Sequence, residues 1–213
     1  MRRIGLFGGT FNPIHLGHLR VAEEVREAQA LDRVIFIPAA DPPHKNGLAI
    51  IPVAHRLAMT RLAVTDDPSF AVSDFEANRA EKSFSLYTIR HFRETTPAAR
   101  LFFIIGADAF AEITTWHRWE EVIREVSFVV MTRPGSRIGH PAEALPKEWA
   151  GRIETVSESL YHVDNKEEII FQPVTSLEIS SSDIRRRRQE GGSIRFLVSP
   201  AVEDYIRVNH LYE

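Results

Sequence analysis

Short apolar runs alternate along the chain with segments whose apolar residues recur at helical spacing. Six runs have the length expected for buried strands: 4–7, 33–38, 70–73, 100–105, 126–131 and 168–171. Five segments have helical spacing or helix end signals: 19–26, 52–65, one running through 93, one starting near 180, and 200–208. Because alternating strands and helices are joined by right-handed crossovers, the pattern predicts an α/β fold. We expect a doubly wound parallel sheet with flanking helices.

The whole chain, residues 1–213, has the length of a single domain. Its C-terminal portion, from about 180 to 213, is expected to be helical. Between 134 and about 151 the sequence is rich in Pro and Gly and has little periodicity, so we predict a long surface excursion there rather than a second domain.

Composition removes several classes of function. The chain has no cysteine, which excludes disulfides, thiolate metal sites and a cysteine nucleophile. The formal net charge of −3 gives no general attraction to nucleic acid or to a membrane surface. Neither a signal peptide nor a long apolar span is visible, so we expect a cytoplasmic protein. The composition leaves a homo-oligomer open.

The first candidate site lies directly after the first strand. Gly8 and Gly9 follow the apolar run and allow a ligand to approach the backbone closely. The helix that comes next offers free N–H groups at its start, where a phosphate group binds well. His15 and His18 are three residues apart, so the first helical turn places both on one side. The alternative is an ordinary Gly-Gly turn followed by helix-start histidines.

Other candidates follow later strands, and each has a structural alternative. His44 and Lys45 lie in a Pro-rich loop after the second strand and could meet a phosphate or simply be solvated. Asp108, after Gly106, could accept ribose hydroxyls or cap the next helix. Trp116 could stack on a planar ring or pack in the core, and we assign Trp119 to the core. Ser83 or Ser85 could cap the helix through 93.

A second cluster of phosphate-binding character begins at residue 179. Ser180 with Asp183 three residues later predicts a capped helix start, and Arg185 in its first turns can make a forked contact with phosphate oxygens. Four consecutive arginines, 185–188, also allow a nucleic-acid interpretation, but the run is short and no aromatic residue interleaves with it. The histidine pair could form half a zinc site, yet no third ligand is near in sequence, so no metal site is predicted.

As one ordered string, residues 8–18 resemble the first signature of the nucleotidylyltransferase superfamily, and most of all that of the bacterial nicotinate mononucleotide adenylyltransferases. The likeness continues in family order through a Pro-Pro-His-Lys loop, a Gly-x-Asp, a Thr-Trp pair and the second signature at 179–185. Asn12 stands where many members have Asp, and Ser182 replaces Thr. Ser85 matches the third residue of a Ser-Tyr-Thr segment, and His117 replaces the usual Tyr.

The resemblance implies a Rossmann-like fold and transfer of the adenylyl group of ATP to nicotinate mononucleotide, with Mg²⁺ carried on ATP and no covalent enzyme intermediate. It implies catalytic roles for His15, His18 and Arg185. The ATP-binding residues would be Gly8, Gly9, Thr10, Phe11, His18, Gly106, Asp108, Ile179, Ser180, Ser181 and Arg185. The residues that bind the mononucleotide would be His44, Lys45, Ser85, Trp116 and His117.

Three other functions remain to be compared with this one. The first is another adenylyltransferase or cytidylyltransferase, such as the phosphopantetheine enzyme, and the second is a non-catalytic nucleotide sensor on the same scaffold. The third is a nucleic-acid-binding module, which the net charge of −3 disfavours. ATP and nicotinate mononucleotide are therefore the expected partners, with neither nucleic acid nor membrane among them.

Overall fold

The computed structural model describes residues 1–41, 50–79, 82–164 and 166–213. Within these ranges, eight strands lie in one sheet. Their bounds are β1 Arg2–Gly9, β2 Arg33–Pro38, β3 Phe70–Val72, β4 Ala99–Gly106, β5 Ser127–Thr132, β6 Ile153–Thr155, β7 Leu160–Val163 and β8 Glu167–Pro173. The helices are α1 Leu16–Ala28, α2 Val53–Val64, α3 Ser85–Thr95, α4 Ala107–Ala111, α5 Trp119–Glu125, α6 Ser181–Gln189 and α7 Pro200–Val208. Each predicted strand and helix is therefore present, with its ends shifted by a few residues.

The strand order is β3-β2-β1-β4-β5-β8-β7-β6. Strands β3 to β8 along this order pair in parallel, as predicted, whereas β6 and β7 join the edge at β8 as antiparallel strands. The chain leaves β1 toward β2 on one side, and β4 lies on the other side of β1. This reversal of direction is the point at which open α/β sheets bind ligands, at the carboxyl ends of their strands.

Two hydrophobic cores cover the two faces of the sheet. One contains α3, α4 and α5 with residues such as Leu86 and Phe110, and the other contains α1, α2, α6 and α7 with residues such as Val21 and Met59. Trp119 is half-buried against the first core, which confirms its assignment. The helices thus lie on both faces, which gives a Rossmann-like doubly wound architecture.

The prediction of a surface excursion between 134 and 151 was wrong in part. Ile138, Leu145 and Trp149 are buried in the first core, and Trp149 packs on Trp119 with 5.0 Å between ring centroids. Single apolar residues separated by short 3-10 turns give no periodicity, so the sequence pattern could not reveal them. The segment returns as the antiparallel strands β6 and β7.

Candidate phosphate and aromatic clefts

The turn between β1 and α1 brings the two histidines together. His15 is the N-cap residue of α1, and its ring stacks on that of His18 with 3.7 Å between centroids. The backbone N–H of His15 donates to His18 Nδ1 at 3.3 Å. Because Nδ1 of His18 accepts, the neutral ring has its proton on Nε2, which is then a hydrogen-bond donor. A Cβ on Gly17 would lie 3.0 Å from His15 Nδ1, so a side chain at this position would press on the His15 ring.

His15 is a buried, neutral imidazole. Its relative exposure is 7%, and its Nδ1 has no hydrogen-bond partner among the described residues. Burial, and after it the nearby charge of Arg133, lower the pKa of this imidazole to about 4. At neutral pH the ring therefore contributes a dipole and a hydrogen-bonding nitrogen rather than a full charge.

The signature turn, residues 10–15, borders a cleft of about 310 Å³ that we call the cationic cleft. The residues that line it are Thr10, Phe11, Asn12, His15, His18, Ile50, Arg133, Ile179, Ser180, Ser181, Ser182 and Arg185. The cationic cleft is therefore formed by the segments that follow β1 and β5 and by the start of α6. Two arginines and two histidines line this cleft, and no carboxylate is among its described lining residues. Such a set favours an anion with several negative charges.

The start of α6 confirms the predicted cap and places Arg185. Ser180 is the N-cap, and its hydroxyl accepts from the backbone N–H of Asp183 at 3.1 Å. Arg185 is half-buried and donates from Nη1 to the carbonyl of Asn12 at 2.8 Å. The hydroxyl of Ser181 donates to the carbonyl of Pro13 at 2.9 Å. The second signature therefore holds the first by direct hydrogen bonds.

Two arginines at this site escaped the sequence analysis. Arg133, the first residue after β5, lines the cationic cleft and acts on His15, but in the sequence it only marked the end of a strand. Arg56 is 1% exposed and donates to the carbonyls of Thr10 at 2.7 Å, Ile51 at 3.1 Å and Ala40 at 3.2 Å. The sequence offered one signal for Arg56: it lies on the apolar side of α2. A buried arginine requires hydrogen-bond acceptors, so this position could have indicated that Arg56 binds backbone carbonyls.

A second cleft, of about 370 Å³, opens on the other side of the sheet edge, and we call it the aromatic cleft. Its lining residues are Ser83, Phe84, Ser85, Thr115, Trp116, His117 and Val122. Trp116 is half-buried and meets Phe103 edge to face at 6.0 Å, while the His117 ring stacks on Phe84 at 4.4 Å. Ser85 is the first residue of α3, where backbone N–H groups lack helical partners.

Phe103, in β4, packs beside the aromatic cleft and close to the end of β1. Its ring contacts Trp116 on one side, and on the other it lies 3.6 Å from where a Cβ of Gly8 would be. Gly106 ends the neighbouring strand β4, and a Cβ there would meet nothing within 4 Å. Near the ends of β1 and β4 the chain therefore carries no side chain at Gly8 and Gly106. Glycine is required at position 9 for a different reason, since a Cβ there would collide with the Phe11 ring at 2.7 Å.

Two of the capping alternatives are wrong. The N-cap of α4 is Gly106, and Asp108 is an exposed residue in the first turn of that helix. The N-cap of α3 is Phe84, without a side-chain cap. The Ser83 hydroxyl instead accepts from the backbone N–H groups of Ala40 at 3.0 Å and Asp41 at 3.3 Å, which ties the chain after β2 to the aromatic cleft.

The predicted site residues fall into three groups. The cationic cleft gathers Thr10, Phe11, His15, His18, Ile179, Ser180, Ser181 and Arg185. The aromatic cleft gathers Ser85, Trp116 and His117. Gly8 and Gly9 end β1, Gly106 ends β4 and Asp108 lies in the first turn of α4, and none of the four lines either cleft. His44 and Lys45 lie outside the described residues.

The other candidate chemistries find little support. Arg186, Arg187 and Arg188 form ion pairs with carboxylates of Asp183, Glu190 and Glu213, so this part of the arginine run is already neutralised. Within the described ranges, no three His, Cys, Asp or Glu side chains are arranged to hold a metal ion. None of the helices in those ranges has the length and apolar character needed to cross a bilayer.

Comparison with known proteins finds relatives of one kind over nearly the whole chain. A family model described as cytidylyltransferase-like matches residues 6–187. Relatives from Pelobacter propionicus and Citrifermentans bemidjiense, each named a probable nicotinate-nucleotide adenylyltransferase, are 46% identical over 212 residues, covering 99% of this chain and 98% of theirs. A solved Plasmodium falciparum nicotinic acid mononucleotide adenylyltransferase complexed with NaAD has a TM-score of 0.75 at 19% identity, covering 100% of this chain and 98% of that one. At that identity the likeness shows the fold alone.

Proposed function

The chain belongs to the cytidylyltransferase-like family and, within it, to the nicotinate-nucleotide adenylyltransferases, and on this premise we propose that it transfers the adenylyl group of ATP to nicotinate mononucleotide. The products are nicotinate adenine dinucleotide and pyrophosphate, a step in NAD biosynthesis. The observation that carries the proposal is the presence of both a cationic cleft, with no carboxylate among its described lining residues, and an aromatic cleft. The first suits a triphosphate and the second a planar aromatic ring.

The reaction needs no protein nucleophile. A phosphate oxygen of nicotinate mononucleotide attacks the α-phosphorus of ATP and forms a new P–O bond. The bond from that phosphorus to the oxygen shared with the β-phosphorus breaks, and pyrophosphate leaves with the electron pair. Catalysis then depends on alignment of the two phosphates and on stabilisation of the charge that spreads over the α-phosphate oxygens.

The lining of the cationic cleft supplies that stabilisation. His18 donates from Nε2 to the α-phosphate region, because its Nδ1 is occupied by the backbone of His15. The uncharged His15 ring lies beside it and holds the same phosphate by a single hydrogen bond. Arg185, with Ser181 at the same helix start, binds the leaving pyrophosphate. Arg133 faces this region from the end of β5 and adds a second guanidinium.

The aromatic cleft holds the nicotinate ring. Trp116 stacks on the pyridine, and backbone N–H groups at Ser85 and His117 donate to the ring carboxylate. Gly8 and Gly106 leave room for the two nucleotides at the ends of β1 and β4, and Gly9 contacts ATP through its backbone. Asp108 accepts from a ribose hydroxyl, and His44 and Lys45 contact phosphate. Mg²⁺ enters on ATP, where phosphate oxygens are its ligands, because no carboxylate is among the described residues that line the cleft.

The deciding experiment measures pyrophosphate release and dinucleotide formation from Mg-ATP with four acceptors: nicotinate mononucleotide, nicotinamide mononucleotide, phosphopantetheine and none. We expect fast turnover with the acid and little with the others. Arg185→Gln should lower the rate by on the order of a hundredfold. Arg187→Gln is the matched control on the same helix, since Arg187 pairs with Asp183 outside the cleft, and it should retain the rate. Turnover with phosphopantetheine alone would give the acceptor a different identity, and ATP binding without turnover would indicate a sensor.

A further inference from the structure

We propose that Tyr212, the penultimate residue of the chain, is a positioning residue for adenylyl transfer, acting on the signature turn through the side chain of Asn12. The inference rests on the proposed function and assigns a role to a segment that carries no signature motif. Tyr212 lies 200 residues from Asn12 in sequence, yet its hydroxyl donates to Asn12 Oδ1 at 2.9 Å. Both residues are buried, Tyr212 with 9% and Asn12 with 4% exposure.

The chain end is built to hold this tyrosine in place. After α7 the backbone adopts left-handed conformations at His210 (φ 50°) and Tyr212 (φ 63°), which are uncommon for residues with side chains. The N–H of Leu211 donates to the carbonyl of Ile206 at 3.0 Å, and the Glu213 carboxylate pairs with Arg188 at 2.7 Å. Burial raises the pKa of the Tyr212 hydroxyl, so it stays a donor throughout the physiological pH range.

Asn12 is the residue at which the catalytic groups converge. Its carbonyl accepts from Arg185, the carbonyl of the next residue accepts from Ser181, and its side chain accepts from Tyr212. Three residues further on comes His15, whose ring lies against that of His18. A shift of Asn12 therefore displaces Arg185 and the histidine pair together. Misplacement of reacting groups by about 1 Å costs up to about a hundredfold in rate.

The test compares Tyr212→Phe with Tyr205→Phe as a matched control. Each removes one hydroxyl from the C-terminal segment, but Tyr205 bonds to His55 Nδ1 at 3.1 Å, away from the signature turn. We expect Tyr212→Phe to lower kcat about tenfold, with KM for both substrates within about twofold of wild type. Tyr205→Phe should keep kcat within about twofold, whatever its effect on Tm.

Coupling to Asn12 separates positioning from general stability. In an Asn12→Ala background the Tyr212 hydroxyl has lost this acceptor, so Tyr212→Phe should have no further effect on kcat. Equal kcat losses in both backgrounds would overturn the proposal, as would a Tyr212→Phe enzyme with wild-type kcat or a kcat loss equal to that of Tyr205→Phe.

A measurement on the protein without substrates distinguishes failure of the positioning role from failure of the proposed function. Ring-proton chemical shifts of His15 and His18 should move in Tyr212→Phe and stay unchanged in Tyr205→Phe. Unchanged shifts in Tyr212→Phe would overturn the positioning role even if the wild-type protein proved to use another acceptor. Absence of dinucleotide formation by the wild type would instead refute the proposed function.

Discussion

The neutral state of His15 makes a quantitative prediction about stability. In the folded protein the pKa of this imidazole is about 4, whereas in the unfolded chain it is about 6.5. Between those values the unfolded chain binds a proton that the folded protein does not. Stability from this group is therefore complete above pH 6.5 and is lost as the pH falls toward 4. The loss is about 1 kcal/mol at pH 6 and about 2 kcal/mol at pH 5.

The perturbation that isolates this effect is His15→Gln, which removes the titrating ring and keeps a polar side chain. Other groups also change the stability with pH, and Glu76, whose pKa is raised by burial, does so in the opposite direction, because the folded protein binds its proton more readily than the unfolded chain. The quantity to compare is therefore the difference in unfolding free energy between wild type and variant. Urea unfolding followed by tryptophan fluorescence at pH 5, 6, 7 and 8 measures it, since the chain has three tryptophans. The difference should change by about 2 kcal/mol between pH 8 and pH 5.

A second substitution supplies the control. Arg133→Gln removes a nearby positive charge and so raises the pKa of His15, which reduces the pH slope of the wild-type protein. In the His15→Gln background the same substitution should leave the slope unchanged. A wild-type minus His15→Gln difference that stays constant from pH 8 to pH 5 would show that the ring is hydrated, and the account of His15 as a neutral ligand would be wrong.

Two further predictions concern the clefts. Arg133→Gln should raise KM for ATP about tenfold and weaken the dependence of this KM on salt, because it removes a guanidinium from the cationic cleft. Steady-state kinetics at two ionic strengths measure both effects. An unchanged KM would exclude contact between Arg133 and a phosphate. Trp116→Ala should raise KM for nicotinate mononucleotide about tenfold and leave KM for ATP unchanged, because it removes the stacking surface of the aromatic cleft; a change confined to ATP would reverse the assignment of the two clefts.

The sequence predicted what depends on local patterns. The run 100–105 became the central strand β4 because continuous apolar residues suit a strand buried on both faces. Ser180 became the cap of α6 because a hydroxyl at that position satisfies a free N–H of the helix start. The strands β6 and β7 are three and four residues long and alternate weakly, so their pattern did not stand out from a loop.

Residues that act across the fold could not be predicted in this way. Arg133 reads as a strand end until β5 is seen to lie beside β4, and Ser83 reads as a cap until the end of β2 is seen to approach it. In both cases a common local role, the end of a strand or the cap of a helix, accounted for the residue without any tertiary contact. The tertiary contact that overrides this role is set by strand order, which the apolar pattern of the individual strands does not specify.

The signature turn shows why the remaining information is spread over the chain. Its carbonyls at Thr10, Asn12 and Pro13 accept from side chains that lie 46, 173 and 168 residues away. A turn buried among other elements must have these groups satisfied, and its own sequence cannot do so. A chain ending at residue 178 would keep the motif of residues 8–18 and lose Ser181, Arg185 and Tyr212. The motif therefore identifies the chemistry, whereas the shape of the turn that performs it depends on α2, α6 and the chain end.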